Sequence, residues 1–414
     1  MKVMNRTKIN VNVKNHMKNS FFLVFYLNVF TFEKNYCELL KNFVSYMSSA
    51  IQFVKIKGEC CLVVIFLVLS LSVVNGQTID TKIPTELTNG VQIETKSPLY
   101  NAAYLEISDM LDGKLPLSIK RSVFLAEWAY LDGKLDYEEF CKTIDNAADF
   151  VKRFIKANQM EKYKTAKNMA LIEYFFRPYS GNGYKPFTYN FSDIEGTEDF
   201  TQQFVSKVMQ THEGQCRSLP MYYRVLAEAV GAEAYIAYAP RHVFIRYRDE
   251  DNLFPEDWVN IELTSQQLTP EFWIKESFEI SEKAIENKIY LYPLTAKETV
   301  ASQLADLAFG YWRKYKVYDD FTYLTVNKSL EYYPQHPNAL LIKNKSLESA
   351  IKKCLVYNGY RLDGQILFLE NQMKKVSEQL EHLGWELMSE DVSNRLDKVG
   401  EDLKRKQKIK SQTE

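Results

Sequence analysis

Cys216 stands in surroundings that suggest chemistry. It belongs to the segment GQCRSLPMYYRVLAEAVG (214–231), in which apolar residues recur at helical spacing: Leu219, Tyr223, Leu226, Ala227 and Val230. The pattern predicts a helix that begins just after Cys216 and ends at Gly231, which readily takes the left-handed conformation. A thiol at a helix N-terminus lies at the positive end of the helix dipole, which favours the nucleophilic thiolate. A small buried residue that fits the position is the alternative.

A histidine and a carboxylate follow in the next predicted elements. His242 opens the apolar segment HVFIRYR (242–248), and WVNIELT (258–264) carries Asn260 and Glu262 on one face. A hairpin folded about residue 253 sets His242 opposite Thr264 and one diagonal from Glu262. A thiol, an imidazole and a carboxylate or carboxamide therefore converge. This arrangement activates a cysteine nucleophile, because a base shares the thiol proton and a third group orients the base.

The elements that must position these residues form an α+β pattern. Helical spacing predicts a helical lead-in over 101–200, with turns at LDGKL (111–115) and DGKLDYEEF (132–140) and a loop over 178–200. The second turn mimics half of a calcium loop, but Trp128 and Tyr130 occupy the preceding ligand positions and cannot bind calcium adequately. Strands are predicted at 233–240, 242–248 and 258–264. Continuous helix follows from about residue 296 to the charged C-terminal tail.

The central segments resemble the core of the transglutaminase-like superfamily. The family pattern is Gly-x-Cys at a helix start, then a strand that begins with His, then a Trp-containing strand of the form W-x-x-x-D-x-T. The matching segments here are GQCRSLPMYYRVLAEAVGAEAYI, HVFIRY and WVNIELT, within residues 200–270. The resemblance implies a papain-like core with a nucleophile helix on an antiparallel sheet. It implies Cys216 as nucleophile, His242 as base and Glu262 in the usual Asp position; because Glu replaces Asp, Asn260 is the alternative third member.

Several neighbours are candidates for contact with a substrate. Gln215 and Gln203 are candidates for an oxyanion hole, although the backbone N–H of Cys216 is the better donor at a helix start. Arg217 would pin a substrate carboxylate or form a structural ion pair. His212 would be an alternative base, or a zinc ligand with Cys216 and His242, but is better interpreted as a residue of the cleft rim. Trp258 is a core residue or a substrate platform.

Composition restricts the partners. The chain has 414 residues with 52 basic and 53 acidic side chains, so no general basic field attracts nucleic acid. No CxxC or HxxxH pair supports a metal site, and we expect no metal and no cofactor. The segment LAFGYWRKYKVYDDFTYLTVNKSLEYYPQHPNALL resembles one degenerate tetratricopeptide unit, with Gly310, Val326, Ser329 and Pro334 at the expected offsets. A peptide or protein partner of these C-terminal helices is therefore a further expectation.

The N-terminus indicates export. Residues 60–74 (CCLVVIFLVLSLSVV) are an apolar run preceded by Lys55 and Lys57 and followed by Val74-Asn75-Gly76, which suits signal cleavage before Gln77. The run is shorter than the roughly 20 residues of a spanning helix, so an uncleaved anchor is the weaker alternative. We expect a periplasmic or secreted protein without a stable membrane anchor. Met47 would give a signal of normal length and is an alternative start to Met1.

Two classes of function fit these observations. The segments are an upstream region and signal peptide (1–76), a linker (77–100), the helical lead-in (101–200), the transglutaminase-like core (201–295) and a tetratricopeptide-like region with a charged tail (296–414). The first function is cysteine-dependent acyl transfer on peptide or protein carboxamides, as a peptidase, amidase or transglutaminase. The second is an inert scaffold of the same fold that binds partners through its helices. Competent residues at all three positions favour the enzyme.

Overall fold

The computed structural model covers residues 95–193, 196 and 198–413, without the side chains at 407, 408 and 410–413. The predicted signal peptide, its cleavage point and the linker up to residue 94 lie outside the described residues. Within them the fold is α+β, as predicted. The linker was predicted to extend to residue 100, but the first helix already begins at Pro98. The side chain of Ser97 caps this helix by accepting a hydrogen bond from Leu99 N.

Four helices make up the first part of the fold, and the two predicted turns separate the first three. Gly113 and Gly133, with φ of 77° and 76°, provide the left-handed residues of these turns. Asp136 caps the third helix through Glu139 N (2.8 Å), so residues 132–140 form the predicted helix–turn–helix. The bounds are α1 Pro98–Leu111, α2 Ile119–Tyr130, α3 Tyr137–Ala157 and α4 Ala166–Phe176.

The region from 178 to 269 carries the strands. Residues 178–200 were predicted as loop, but a short strand there pairs in parallel with a second one just before Cys216. The other four strands form an antiparallel sheet in sequence order; three were predicted and the short β6 was not. The elements are β1 Thr188–Tyr189, α5 Val205–Thr211, β2 Glu213–Gly214, α6 Ser218–Val230, β3 Tyr235–Ala239, β4 His242–Arg248, β5 Trp258–Glu262 and β6 Gln267–Thr269.

Helix α6 is central to the core. It ends at Gly231 in the left-handed conformation (φ 66°), as predicted. The apolar stripe predicted a helix buried on one side, but eleven of its thirteen residues are buried. The reason is that α6 packs against the sheet strands β3 and β4 and also against α2, α3 and α4.

Seven helices complete the chain. They are α7 Glu271–Ser277, α8 Glu282–Glu286, α9 Ala296–Tyr315, α10 Asp320–Tyr332, α11 Pro337–Tyr357, α12 Gly364–Leu383 and α13 Glu390–Thr413. Helices α9 and α10 pack as a pair, and Ser329 Oγ donates to Ala301 O (2.7 Å) between them. The likeness of this pair to a tetratricopeptide unit stays a prediction.

Helix α9, in the C-terminal part of the chain, shares a core with the first two helices. Helix α9 packs on α1 and α2, and Tyr100 of α1 meets Tyr311 of α9 edge to face, with ring centroids 5.1 Å apart. The described residues from 95 onward form one compact unit, so the segment boundaries predicted near 200 and 295 fall inside it. Along residues 95–193 and 198–413, the helices are all too short or too polar to cross a membrane.

Candidate active site

Cys216 lies in the turn that leads into α6, two residues before the first helical residue, Ser218. Leu219 N donates to Gln215 O and Met221 N to Arg217 O, both at 3.1 Å, so helical hydrogen bonding already starts at residue 215. The preceding Gly214 is required by close packing: an added Cβ would lie 2.6 Å from Val208 Cγ2 and 2.7 Å from Ser218 Oγ. Glycine therefore lets β2 approach α5 and α6, and this approach sets Cys216 at the helix start.

His242 and Glu262 are hydrogen-bonded to each other. His242 Nε2 lies 2.6 Å from Glu262 Oε2, and the two side chains are 12% and 14% exposed. The hairpin has the predicted register, with Ile245 opposite Ile261 and Arg248 opposite Trp258. If this register is continued by three residues, His242 lies opposite Thr264. Glu262, two residues before Thr264, is then the diagonal neighbour of His242.

The imidazole of His242 also interacts with the thiol of Cys216, which is one of the groups that raise the pKa of His242. Burial alone would lower the pKa of His242. The charge of Glu262, the hydrogen bond to Glu262 and the interaction with Cys216 outweigh burial and raise the pKa to about 10. His242 is therefore an imidazolium at neutral pH.

Asn260 has a different partner. Its side chain is 1% exposed, and Nδ2 donates to Thr269 O (3.1 Å) on the neighbouring strand β6. The group that accepts the hydrogen bond of His242 is thus the carboxylate of Glu262. Glu262 Oε1 is buried and has no hydrogen-bond partner among the described residues.

The side chain of Gln215 is hydrogen-bonded to the segment that contains Asn190 and Asp193. Its side-chain Nε2 donates to Asn190 O (3.2 Å) and to Asp193 O (2.5 Å), and its backbone N donates to Ser218 Oγ (2.8 Å). Both amide hydrogens are occupied, so in this structure the Gln215 side chain offers no donor to an oxyanion. The backbone N–H of Cys216 has no acceptor among the described residues, which leaves it available as a donor.

Arg217 forms the ion pair that was one of its two predicted roles, with Asp306 of α9. Both side chains line a small, partly open cavity of about 30 Å³ beside α6, together with Gln203 and Glu127. Burial lowers the pKa of the Arg217 guanidinium, and the nearby Tyr238, Glu127 and Cys216 partly oppose the shift. Arg217 thus joins the start of α6 to α9.

His212 and Trp258 interact with other residues. His212 ends α5 in the left-handed conformation (φ 59°), Nδ1 lies 2.6 Å from Lys185 O, and the ring stacks on Phe187 at 4.4 Å. Trp258 lies against the guanidinium of Arg246, 4.5 Å from the ring centroid. Each side chain is therefore already engaged by neighbouring protein groups.

Two residues near the site were not predicted from the sequence. Phe278, just after α7, stacks on His242 with ring centroids 5.3 Å apart and planes 14° apart. Glu127 of α2 accepts from Val205 N (2.6 Å) and Ser206 N (3.0 Å) at the start of α5. Burial raises the pKa of the Glu127 carboxyl to about 7, although these hydrogen bonds and the charge of Arg217 oppose the rise. Neither residue belongs to a motif, and no sequence signal marks them.

The thiols at 141, 216 and 354 are free and half-buried. Cys141 lies in the first part of α3, where its side chain is half-buried. Among the residues that the structure describes, no cluster of three or more His, Cys, Asp or Glu side chains could hold a metal ion.

In comparisons with protein families, curated proteins and solved structures, the chain matches no family model, no curated protein and no solved structure.

Proposed function

We propose that this chain is a cysteine-dependent acyl-transfer enzyme that acts on peptide or protein carboxamides. Cys216 is the nucleophile, His242 the acid and base, and Glu262 the group that orients and charges His242. The observation that carries the proposal is the hydrogen bond of 2.6 Å between the imidazole of His242 and the part-buried carboxylate of Glu262, with the thiol of Cys216 among the groups that raise the pKa of that imidazole.

The fold we propose for this site is a papain- or transglutaminase-like core. Its support is local: Cys216 lies in the turn just before α6, and α6 packs on the antiparallel strands β3 and β4. The next strand, β5, supplies the carboxylate. The helices before and after this core contribute neighbours, such as Asp306 beside Arg217, but none of the three reacting groups.

The first chemical step forms a thioester. Sγ of Cys216, with its proton held by the imidazolium of His242, attacks the carboxamide carbon and forms the C–S bond. The backbone N–H of Cys216 can donate to the oxygen that becomes negative in the tetrahedral intermediate. His242 then gives its proton to the leaving nitrogen as the C–N bond breaks, so ammonia or an amine departs and His242 is left neutral.

The second step releases the acyl group. Neutral His242 takes a proton from water or from an acceptor amine, which attacks the thioester carbon. The C–S bond breaks, the sulfur returns as thiolate, and His242 returns as imidazolium. Water gives a carboxylic acid and therefore hydrolysis, whereas an amine gives a new amide and therefore transamidation. Glu262 balances the positive charge of His242 at the beginning and end of the cycle.

The test is incubation with a library of glutamine- and asparagine-containing peptides, with and without a primary amine. We expect mass spectrometry to detect an acyl adduct on the peptide that contains Cys216, and either release of ammonia or incorporation of the amine. Cys216→Ala should abolish both the adduct and the product. Cys141→Ala is the matched control, since it removes another half-buried free thiol and should leave both signals intact.

Two results would reject this function. One is product formation that persists in Cys216→Ala, which would place the chemistry elsewhere. The other is the lack of any adduct or product with the whole library while the chain binds peptides through its C-terminal helices, which would favour the inert scaffold.

A further inference from the structure

The turn between α11 and α12 carries an exposed apolar cluster. Six large apolar side chains lie within thirteen residues, and each is between 44% and 91% exposed. Elsewhere in the described chain, such side chains occur singly or in small groups, which is normal for a protein surface. We refer to the cluster as the apolar tip: Val356, Tyr357, Tyr360, Leu362, Leu367 and Phe368.

The apolar tip is held in one conformation. Gly359 and Tyr360 both have positive φ (60° and 62°), a conformation that is unfavourable for a tyrosine. Tyr360 N donates to Leu355 O (2.6 Å), and Asn358 Nδ2 donates to Asp363 Oδ2 across the turn. The backbone thus holds the ring of Tyr360 outside the fold, where it is 77% exposed.

Basic side chains border the apolar tip. Residues 351–368 contain three basic side chains, Lys352, Lys353 and Arg361, and one acidic side chain, Asp363. The Asp363 carboxylate is already used, since it caps α12 by accepting from Ile366 N (2.9 Å) and also accepts from Asn358. Lys352 pairs with Glu348, whereas Lys353 and Arg361 are exposed.

We propose that the apolar tip inserts into the headgroup region of an anionic phospholipid bilayer. Tyrosine and aliphatic side chains bordered by Lys and Arg suit a membrane interface, where the rings enter the acyl boundary and the cations stay at the phosphates. A symmetric contact with a second copy of this chain is disfavoured, because it would bring Lys353 and Arg361 near their own equivalents. The contact is peripheral, separate from the apolar run at 60–74, and independent of chemistry at Cys216.

The test measures the reactivity of tyrosines in the apolar tip and not lipid binding by the whole chain, because residues 60–74 of the full chain could also bind lipid. Tyrosines are acetylated with N-acetylimidazole in the presence of phosphatidylcholine vesicles or of mixed phosphatidylcholine–phosphatidylserine vesicles, and the sites are mapped by mass spectrometry. With mixed vesicles, acetylation of Tyr357 and Tyr360 should slow by about tenfold, since rings within the interface are withdrawn from water. Tyr184 is the internal control, because it is 71% exposed outside the tip and should react at an unchanged rate.

Charge variants complete the experiment. Lys353→Gln and Arg361→Gln should each lower the equilibrium constant for insertion by about fivefold, whereas Lys142→Gln, an exposed lysine on α3, should have no effect. Three results would overturn the proposal: unchanged reactivity of the tip tyrosines, equal protection by phosphatidylcholine alone, or protection that needs no vesicles and grows with protein concentration. The last of these would assign the tip to a second copy of the chain.

Discussion

Nε2 of His242 and Oε2 of Glu262 are 2.6 Å apart, across a hairpin whose register makes the two residues diagonal neighbours. Asn260 lies on the same strand as Glu262, but its side chain donates to Thr269 O on the neighbouring strand β6. The imidazole therefore has a carboxylate partner rather than a carboxamide partner. This charge is the main reason that the pKa of His242 is raised in spite of burial.

Glu262→Gln should lower turnover by on the order of a hundredfold, because Gln keeps the shape but removes the charge that stabilises the imidazolium. Asn260→Ala should leave turnover nearly unchanged and lower the free energy of unfolding by about 1 kcal/mol, through loss of its hydrogen bond to β6. Steady-state kinetics and denaturant unfolding of both variants check this. A larger loss of turnover in Asn260→Ala would transfer the orienting role to Asn260.

The ring of His242 should titrate with a pKa of about 10, well above the ordinary value of 6.5. Because the folded-state pKa is raised, the imidazolium stabilises the fold fully below pH 6.5, and this stabilisation is lost as pH rises through about 10. NMR titration of the histidine ring measures the pKa directly, and Glu262→Gln should move it down towards 6.5. A wild-type value near 6.5 would mean that the buried ion pair does not form.

His336 should act on stability in the opposite direction. Burial, assisted by the charge of Arg217, lowers its pKa to about 3. As pH falls below 6.5, the unfolded chain therefore binds a proton that the folded chain does not, and the free energy of unfolding decreases. His336→Phe keeps the stacking on Tyr333 and should lose less stability between pH 6.5 and 4 than the wild type. Parallel pH profiles for the two proteins would contradict this.

The site was predictable where it depends on local structure. The spacing of Leu219, Tyr223 and Val230 predicts the helix that carries Cys216, and the turn centred on residue 253 fixes the hairpin register. The neighbours that modify the site were not predictable. Phe278 reaches His242 from another element, and Asp306, which pairs with Arg217, comes from a helix far along the chain. Such contacts depend on how whole elements pack, and no local pattern encodes them.

Gly214→Ala should destabilise the protein by about 1–3 kcal/mol, because the added methyl group would overlap Val208 and Ser218. It should also displace Cys216 and slow its reactions. Gly400→Ala in α13 is the matched control: an added Cβ meets nothing within 4 Å there, and the helix should gain about 0.5–1 kcal/mol. Thermal unfolding of the two variants measures the contrast, and a neutral Gly214→Ala would refute the close-packing explanation.

The most direct test of the account is the order in which the three thiols of the described chain react with a limiting alkylating reagent. All three are half-buried, so exposure alone does not favour one of them. Cys216 has an imidazolium neighbour and a helix N-terminus, whereas burial and the charge of Asp363 raise the pKa of the Cys354 thiol. Near neutral pH, peptide mass mapping should show Cys216 labelled first, about tenfold faster than Cys141 and Cys354, and His242→Ala should slow its labelling. If native Cys216 reacts no faster than the other two thiols, the proposed nucleophile is wrong.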